Sequence, residues 1–219
     1  MPKIKEKRME ELPKLDNTLV YTEFDDENPV PKGKWNSHIF ENDQPIVLEL
    51  ACGKGEYSIG LAEIEPDKNY VGIDIKGNRI WVGATEALEK DLDNVRYFRC
   101  FIDHLDQYFE EDELDEAWIV FSDPYIKKER KRLTSPKFLE TYRRVMKPDA
   151  VIHLKTDSDL LYEYTKEIIE QEGLELLDDE PDVHKNRPDD PKLSIITYYE
   201  EMHLEKGKTI KYVSFRLGS

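Results

Sequence analysis

The chain has 219 residues, 38% hydrophobic and 37% charged, enough for one α/β domain with a sizeable core. Lysine and arginine number 32 and aspartate and glutamate 48, a net charge of −16, which taken alone speaks against nucleic acid, since phosphate binding needs cations. No apolar run approaches the roughly 20 residues of a membrane span, and the opening Met-Pro-Lys-Ile-Lys-Glu-Lys-Arg has no apolar stretch behind it, so a secreted or membrane protein is not expected.

Residues 1–33 are polar, with scattered proline and no apolar period, and read as a flexible N-terminal arm carrying Lys3, Lys5, Lys7 and Arg8. Residues 34–219 are expected to form the folded domain. Ile46-Val47-Leu48-Glu49-Leu50 is a short apolar run after Pro45 and predicts a buried strand. Gly53 and Gly55 follow as a turn, and a helix is expected over 57–65 before Pro66. Tyr70-Val71-Gly72-Ile73-Asp74 predicts a second strand. Ile80, Trp81, Ala84, Ala87 and Leu88 recur at helical spacing over 78–91. A third strand is expected over 95–101 and a fourth over 117–121, the latter unbroken by charge. Ser135-Pro136 suits a helix start, with Ser135 as cap, and the helix should run to about 146. Lys147-Pro148-Asp149 reads as a turn, 151–155 as a fifth strand, and 158–172 as a helix ended by Gly173. Two closing strands are expected over 195–199 and 209–215. Five strand–helix alternations predict an α/β fold: a Rossmann-like, doubly wound, mostly parallel seven-stranded sheet with antiparallel C-terminal strands.

In such sheets ligands bind beyond the carboxyl ends of the strands, at the topological switch point. The first strand runs into Gly53 and Gly55, which let the backbone turn tightly and approach a ligand. Asp74 closes the second strand, where an acid can accept both hydroxyls of an adenosine ribose. The arrangement serves NAD and S-adenosylmethionine alike. A dinucleotide fingerprint wants a third glycine where Ser58 stands. Glu49, just before the turn, would face a pyrophosphate badly but suits a sulfonium and an ammonium group. These residues favour S-adenosylmethionine as cofactor. Asp103, after the third strand, is a candidate for the adenine, and Asp123, in Ser122-Asp123-Pro124-Tyr125, for the transferring group. Lys127, Lys128, Arg130, Lys131 and Arg132 form the densest basic run, four residues beyond Asp123. Cys52 and Cys100 form no Cys-x-x-Cys pair, and His104 and His153 have no metal-type partners at useful spacing. No protein-bound metal and a reducing, cytoplasmic setting are expected.

Asp123-Pro-Tyr-Ile-Lys127, the basic run, and Arg132-Leu133-Thr134-x-Pro136-x-Phe138-Leu139 resemble the signature of bacterial tRNA (guanine-N7-)-methyltransferases. Lys155-Thr156-Asp157 resembles that family's Thr-Asp element, and Thr197-Tyr198-Tyr199-Glu200 its Thr-x-Tyr-Glu element. The chain departs from the family at Ala51, where glycine is usual, at Tyr125-Ile126, and in a shorter basic run without histidine. The resemblance implies methyl transfer to N7 of guanine 46 in the variable loop of tRNA, with Asp123 catalytic. It implies that Glu49, Asp74, Asp123 and Asp103 bind the cofactor alongside Gly53 and Gly55. Lys127, Asp157, Thr197, Tyr199 and Glu200 would bind guanosine, and Arg130, Lys131 and Arg132 the RNA backbone. The expected partner is tRNA, for a monomer or homodimer without membrane association. Other readings are a methyltransferase acting on another RNA, a protein or a small molecule, a non-catalytic RNA-binding relative, and an NAD-dependent oxidoreductase.

Overall fold

The computed structural model describes residues 2–218. Its strands are β1 (Thr18–Val20), β2 (Ile46–Leu50), β3 (Asn69–Asp74), β4 (Val95–Arg99), β5 (Leu114–Val120), β6 (Met146–Thr156), β7 (Glu175–Glu180) and β8 (Lys211–Arg216). Its α-helices are α1 (Pro2–Glu11), α2 (Glu56–Ile64), α3 (Gly77–Glu89), α4 (Leu105–Tyr108), α5 (Pro136–Arg143), α6 (Asp159–Gln171), α7 (Val183–Asn186) and α8 (Tyr198–Leu204). None of the described helices is long and apolar enough to cross a membrane.

The strands form one sheet in the order β1-β4-β3-β2-β5-β6-β8-β7. Pairing is parallel from β1 to β6 and antiparallel for β6–β8 and β8–β7. Every residue of β2 and β3 is buried, which is why both read as unbroken apolar runs: helices cover each face of a parallel sheet. Side chains alternate across β2, so Leu48 and Leu50 join one core with Phe98, Phe138 and Leu154, while Val47 joins the other with Tyr57, Ile80 and Tyr97. Chain order reverses between β3 and β5 on either side of β2. That reversal splays the loops after these strands and opens a crevice at their carboxyl ends.

Five expectations need correction. Residues 2–33 are not a loose arm: α1 packs against α3, Leu12 and Val20 are buried, and Asn17 donates to Ala84 O at 2.9 Å. Its apolar residues are few, and Leu12 and Val20 lie on different short elements, so no single period marks the segment. β1 adds an eighth, three-residue strand at one edge. The second strand expected near the C-terminus is β7, not 195–199, where Thr197 instead caps α8. β7 reads Glu-Leu-Leu-Asp-Asp-Glu and pairs on one side alone, so it lacks the apolar alternation of an inner strand. Ser135 makes no cap hydrogen bond; its hydroxyl donates to Arg130 O at 3.2 Å. The turn expected at 147–149 is absorbed into β6, whose pairing with β5 shifts register there.

Leu12→Ala separates a packed segment from a loose one. Truncating this buried side chain should lower stability by about 2–5 kcal/mol, measured by denaturant unfolding; unchanged stability would mean the segment is not docked in solution.

Candidate active site

The exits of successive strands build the site. After β2 the chain turns through Ala51 (φ 60°), Gly53 (φ 59°) and Gly55 (φ 70°). Cys52 N–H donates to Ile73 O at 2.9 Å, tying the turn to β3. Asp74, at the end of β3, takes Gly53 N–H at 3.0 Å on one oxygen and Lys76 N–H at 2.8 Å on the other. After β5 the exit runs through Phe121 (φ 49°) and Tyr125 (φ 41°), and Asp123 accepts Tyr125 N–H at 3.0 Å. Non-glycine residues in left-handed backbone cost about 1–3 kcal/mol each and gather where function demands a particular exit direction.

Between these exits lies a cavity of about 630 Å³, within the roughly 300–1,000 Å³ usual for small-molecule sites. Of the expected residues, Glu49, Gly53, Asp74, Asp103, Asp123, Lys131, Thr197 and Tyr199 line it. Glu49 is buried and caps the first turn of α2, accepting from Ser58 N–H at 2.8 Å and from Ser58 Oγ–H. That turn has free backbone N–H groups and a positive end. Burial nevertheless dominates and pushes the Glu49 carboxyl up to about 8. Asp103 is half-exposed and pairs with Lys137. Tyr199 lies 5.7 Å from the Arg79 guanidinium, which also lines the cavity.

Other expected residues lie elsewhere. Gly55 does not line the cavity; its missing Cβ makes room for Tyr97, whose ring such an atom would meet at 2.2 Å. Lys127 and Arg130 are exposed beside the cavity rather than in its wall. Asp157 is also outside the wall, paired with Lys208 and 3.4 Å from His203 Nδ1. Arg132 is corrected as an RNA contact: it is buried, donates to Pro124 O at 2.8 Å and stacks 4.2 Å over Tyr164. It braces the Asp123-Pro124-Tyr125 turn from behind. Glu200 is corrected as a substrate contact: it is wholly buried against Lys155 and His184.

The sequence reading missed Ser58 as the partner of Glu49, Tyr97 beneath the turn, and Ser122. Ser58 stands on the first turn of the helix after Glu49, a spacing that could have flagged it. Ser122 lines the cavity, yet its buried hydroxyl has no hydrogen-bond partner among the described residues, a vacancy in its bonding that a ligand atom can fill after χ1 rotation. A Cβ on Gly53 would meet no protein atom within 4 Å, leaving that side of the turn open to a ligand. Each Asp74 oxygen keeps a second lone pair for a ribose hydroxyl. The donor set thus fits S-adenosylmethionine: acceptors for a ribose at Asp74, and a buried carboxylate at Glu49 for a cationic group. Among the described residues no group of three or more His, Cys, Asp or Glu is placed to hold a metal ion.

The Glu49 geometry gives a signed pH effect. Its carboxyl binds a proton in the folded chain between its unfolded value of about 4.5 and about 8, so folded stability contributed by this group falls as pH rises through that window. Thermal unfolding across pH 5–8 should show wild type losing stability relative to Glu49→Gln; parallel curves would show that Glu49 is ionised throughout.

A family profile described as "Putative methyltransferase" matches residues 43–213. Among curated relatives, a tRNA (guanine-N(7)-)-methyltransferase of Bacteroides thetaiotaomicron is 49% identical over 186 residues, covering 85% of this chain and 74% of the relative. Namesakes from Porphyromonas gingivalis (49%; 85% and 77% covered) and Christiangramia forsetii (48%; 85% and 84% covered) match equally well. Among solved structures, the 16S rRNA methyltransferase KamB superposes with a TM-score of 0.66 at 14% identity, covering 90% of this chain and 95% of that one. A SAM-dependent methyltransferase from Aquifex aeolicus gives 0.56 at 15%, covering 97% and 98%; both attest the shared fold. Matched along most of its length, the chain belongs to the tRNA (guanine-N(7)-)-methyltransferase family.

Proposed function

We propose that this chain transfers a methyl group from S-adenosylmethionine to N7 of a guanine in the variable loop of tRNA. One observation carries the reading: the carboxylate-rimmed cavity is continuous with the basic loop, because Lys131 belongs to that loop and also lines the cavity wall.

Guanine N7 carries no proton and offers an in-plane lone pair, so no general base is required. S-adenosylmethionine supplies a methyl on positively charged sulfur: as the N7 lone pair bonds to that carbon, sulfur keeps the C–S electron pair and the positive charge passes to the purine. What remains for the protein is placement, with reacting atoms in line at about 3–3.5 Å, and electrostatics, since a fixed carboxylate stabilises the cationic purine. Asp123 takes both roles, its exposed oxygen free to accept from the guanine N1–H or amine while the other holds Tyr125 N–H. Asp157, paired with Lys208 outside the wall, serves as a second acceptor only by exchanging that partner for the base. Tyr125 offers a face on which a base turned out of its tertiary pairing can stack. Thr197 and Tyr199 close the opposite wall. Lys127, Lys128, Arg130 and Lys131, all exposed, meet the RNA backbone.

Incubation with labelled cofactor and unmodified tRNA should place label in 7-methylguanine at one position; label in another base, or none, refutes the reaction. Asp123→Ala should lower turnover by about 100-fold or more with the fold retained by circular dichroism; near-normal turnover removes Asp123 from the site. Lys128→Ala with Arg130→Ala should weaken tRNA binding and reduce its log-log salt slope by up to about 2. Arg132→Ala should instead lower the melting temperature, since it strips a buried donor from Pro124 O. A salt slope untouched by the first pair would move the RNA face elsewhere.

A further inference from the structure

Between β7 and β8 the chain runs through 181–210 without a strand, yet this stretch supplies Thr197 and Tyr199 to the cavity. One buried cation ties three points of this stretch together. Lys155, near the carboxyl end of β6 and two residues before Asp157, is wholly buried. Its ammonium donates to Leu193 O at 2.6 Å, to Ile195 O at 2.9 Å and to Glu200 Oε2 at 2.8 Å. A lysine ammonium has three protons, so each meets an acceptor, and all three acceptors belong to the same segment.

The spacing of those acceptors matters. Ile195 and Glu200 bracket Thr197 and Tyr199, so both cavity residues lie between two points tied to one nitrogen. The far side of Glu200 is closed by His184 Nε2 at 2.8 Å, and Thr197 Oγ1 accepts Glu200 N–H at 3.2 Å. Around this anchor the segment leans on α2. Tyr57 donates to Lys192 O at 2.7 Å, and a Cβ on Gly60 would stand 2.8 Å from Ile195. Burial pulls the Lys155 ammonium down from its ordinary value and the Glu200 carboxylate opposes that pull. A hydrophobic pair of similar volume would avoid this desolvation, so stability alone does not account for an ion pair at this position.

We propose that Lys155 is a positioning residue for the methyl acceptor: it sets residues 193–200 so that Thr197 and Tyr199 face the cavity, and Glu200 acts through it without touching substrate. The inference rests on the proposed reaction for its kinetic consequence, though not for the anchor itself.

The test is Lys155→Met combined with Glu200→Leu, which removes both charges together and so leaves neither buried alone. The double variant should stay folded by circular dichroism and bind S-adenosylmethionine close to wild type. Amide exchange over 193–204 should accelerate while β2, β3 and β5 stay protected. Turnover on tRNA at saturating cofactor should fall about 100-fold, with KM for tRNA little changed because the phosphate contacts come from 127–131. Glu200→Gln, which keeps an acceptor for Lys155, should fall between wild type and the double variant. Unchanged exchange over 193–204 overturns the anchor, and that readout needs no substrate. Wild-type turnover in the folded double variant overturns its kinetic role. Loss of fold and cofactor affinity together would make the pair a general stability element and overturn the positioning role. A wild-type chain inactive on tRNA would count against the proposed reaction and leave the exchange result to judge the anchor.

Discussion

One tyrosine ring sets the shape of the cofactor end of the sheet. Tyr97, wholly buried on β4, donates its hydroxyl to Gly55 O at 2.9 Å. A Cβ on Gly55, Gly72 or Gly83 would come within 2.2, 2.7 or 2.8 Å of that side chain. The three glycines belong to the turn, to β3 and to α3, so three elements yield space to one ring. α3 also presses the turn itself: a Cβ on Gly83 would stand 2.1 Å from Lys54 O. Held from beneath, the turn presents Gly53 N–H to Asp74 and leaves its outer side open. Alanine favours a helix over glycine by about 1 kcal/mol, and at Gly83 close packing outweighs that preference.

The rim carboxylates share a location but not an environment. Glu49 is dry and caps a helix, Asp74 clamps two loops, Asp103 is paired to Lys137, and Asp123 faces water. This gradient allots work. A buried carboxyl whose affinity for protons is raised gains most when a cation arrives, because the cation restores the charged form that burial penalises. An exposed carboxylate stays ionised at little cost and keeps lone pairs for a second ligand. This gradient supports the proposed placement of a cationic cofactor against Glu49 and Asp74 and of the incoming base against Asp123, an ordering set by solvent access as much as by position in the sheet.

What the sequence discloses follows the same physics. β2, β3 and the 117–120 part of β5 are legible because burial on both faces keeps them nearly free of polar positions, and Glu49, Asp74 and Asp123 are legible because acids at or just beyond strand ends interrupt such runs. β1 and β7 are not legible: one has three residues, and the other is an edge strand whose outer positions face solvent. Motif position misleads where a long-range partner captures a charge. Arg132 sits in a basic run and reads as surface, but Pro124 O and the Tyr164 ring take it inward. Glu200 sits in a family element and reads as a ligand contact, but Lys155, 45 residues earlier, claims it. Pairings of that span leave no local trace in composition or period.

The net charge of −16 then stops being an objection to an RNA partner. Many cations elsewhere are spent on neighbouring carboxylates, as at Lys68, Lys90, Lys147, Lys166, Arg187 and Arg216. Lys127, Lys128, Arg130 and Lys131 stand exposed, outside such pairs among the described residues. Fields from exposed charges decay over about 8 Å at physiological salt, so a phosphate beside this loop senses the loop's cations and little of the distant acidic body. For the proposed RNA partner, a cationic loop at the mouth of the cavity on an otherwise acidic body favours approach of a polyanion to that mouth, and the surrounding negative charge contributes orientation where a uniformly basic surface would contribute only adhesion.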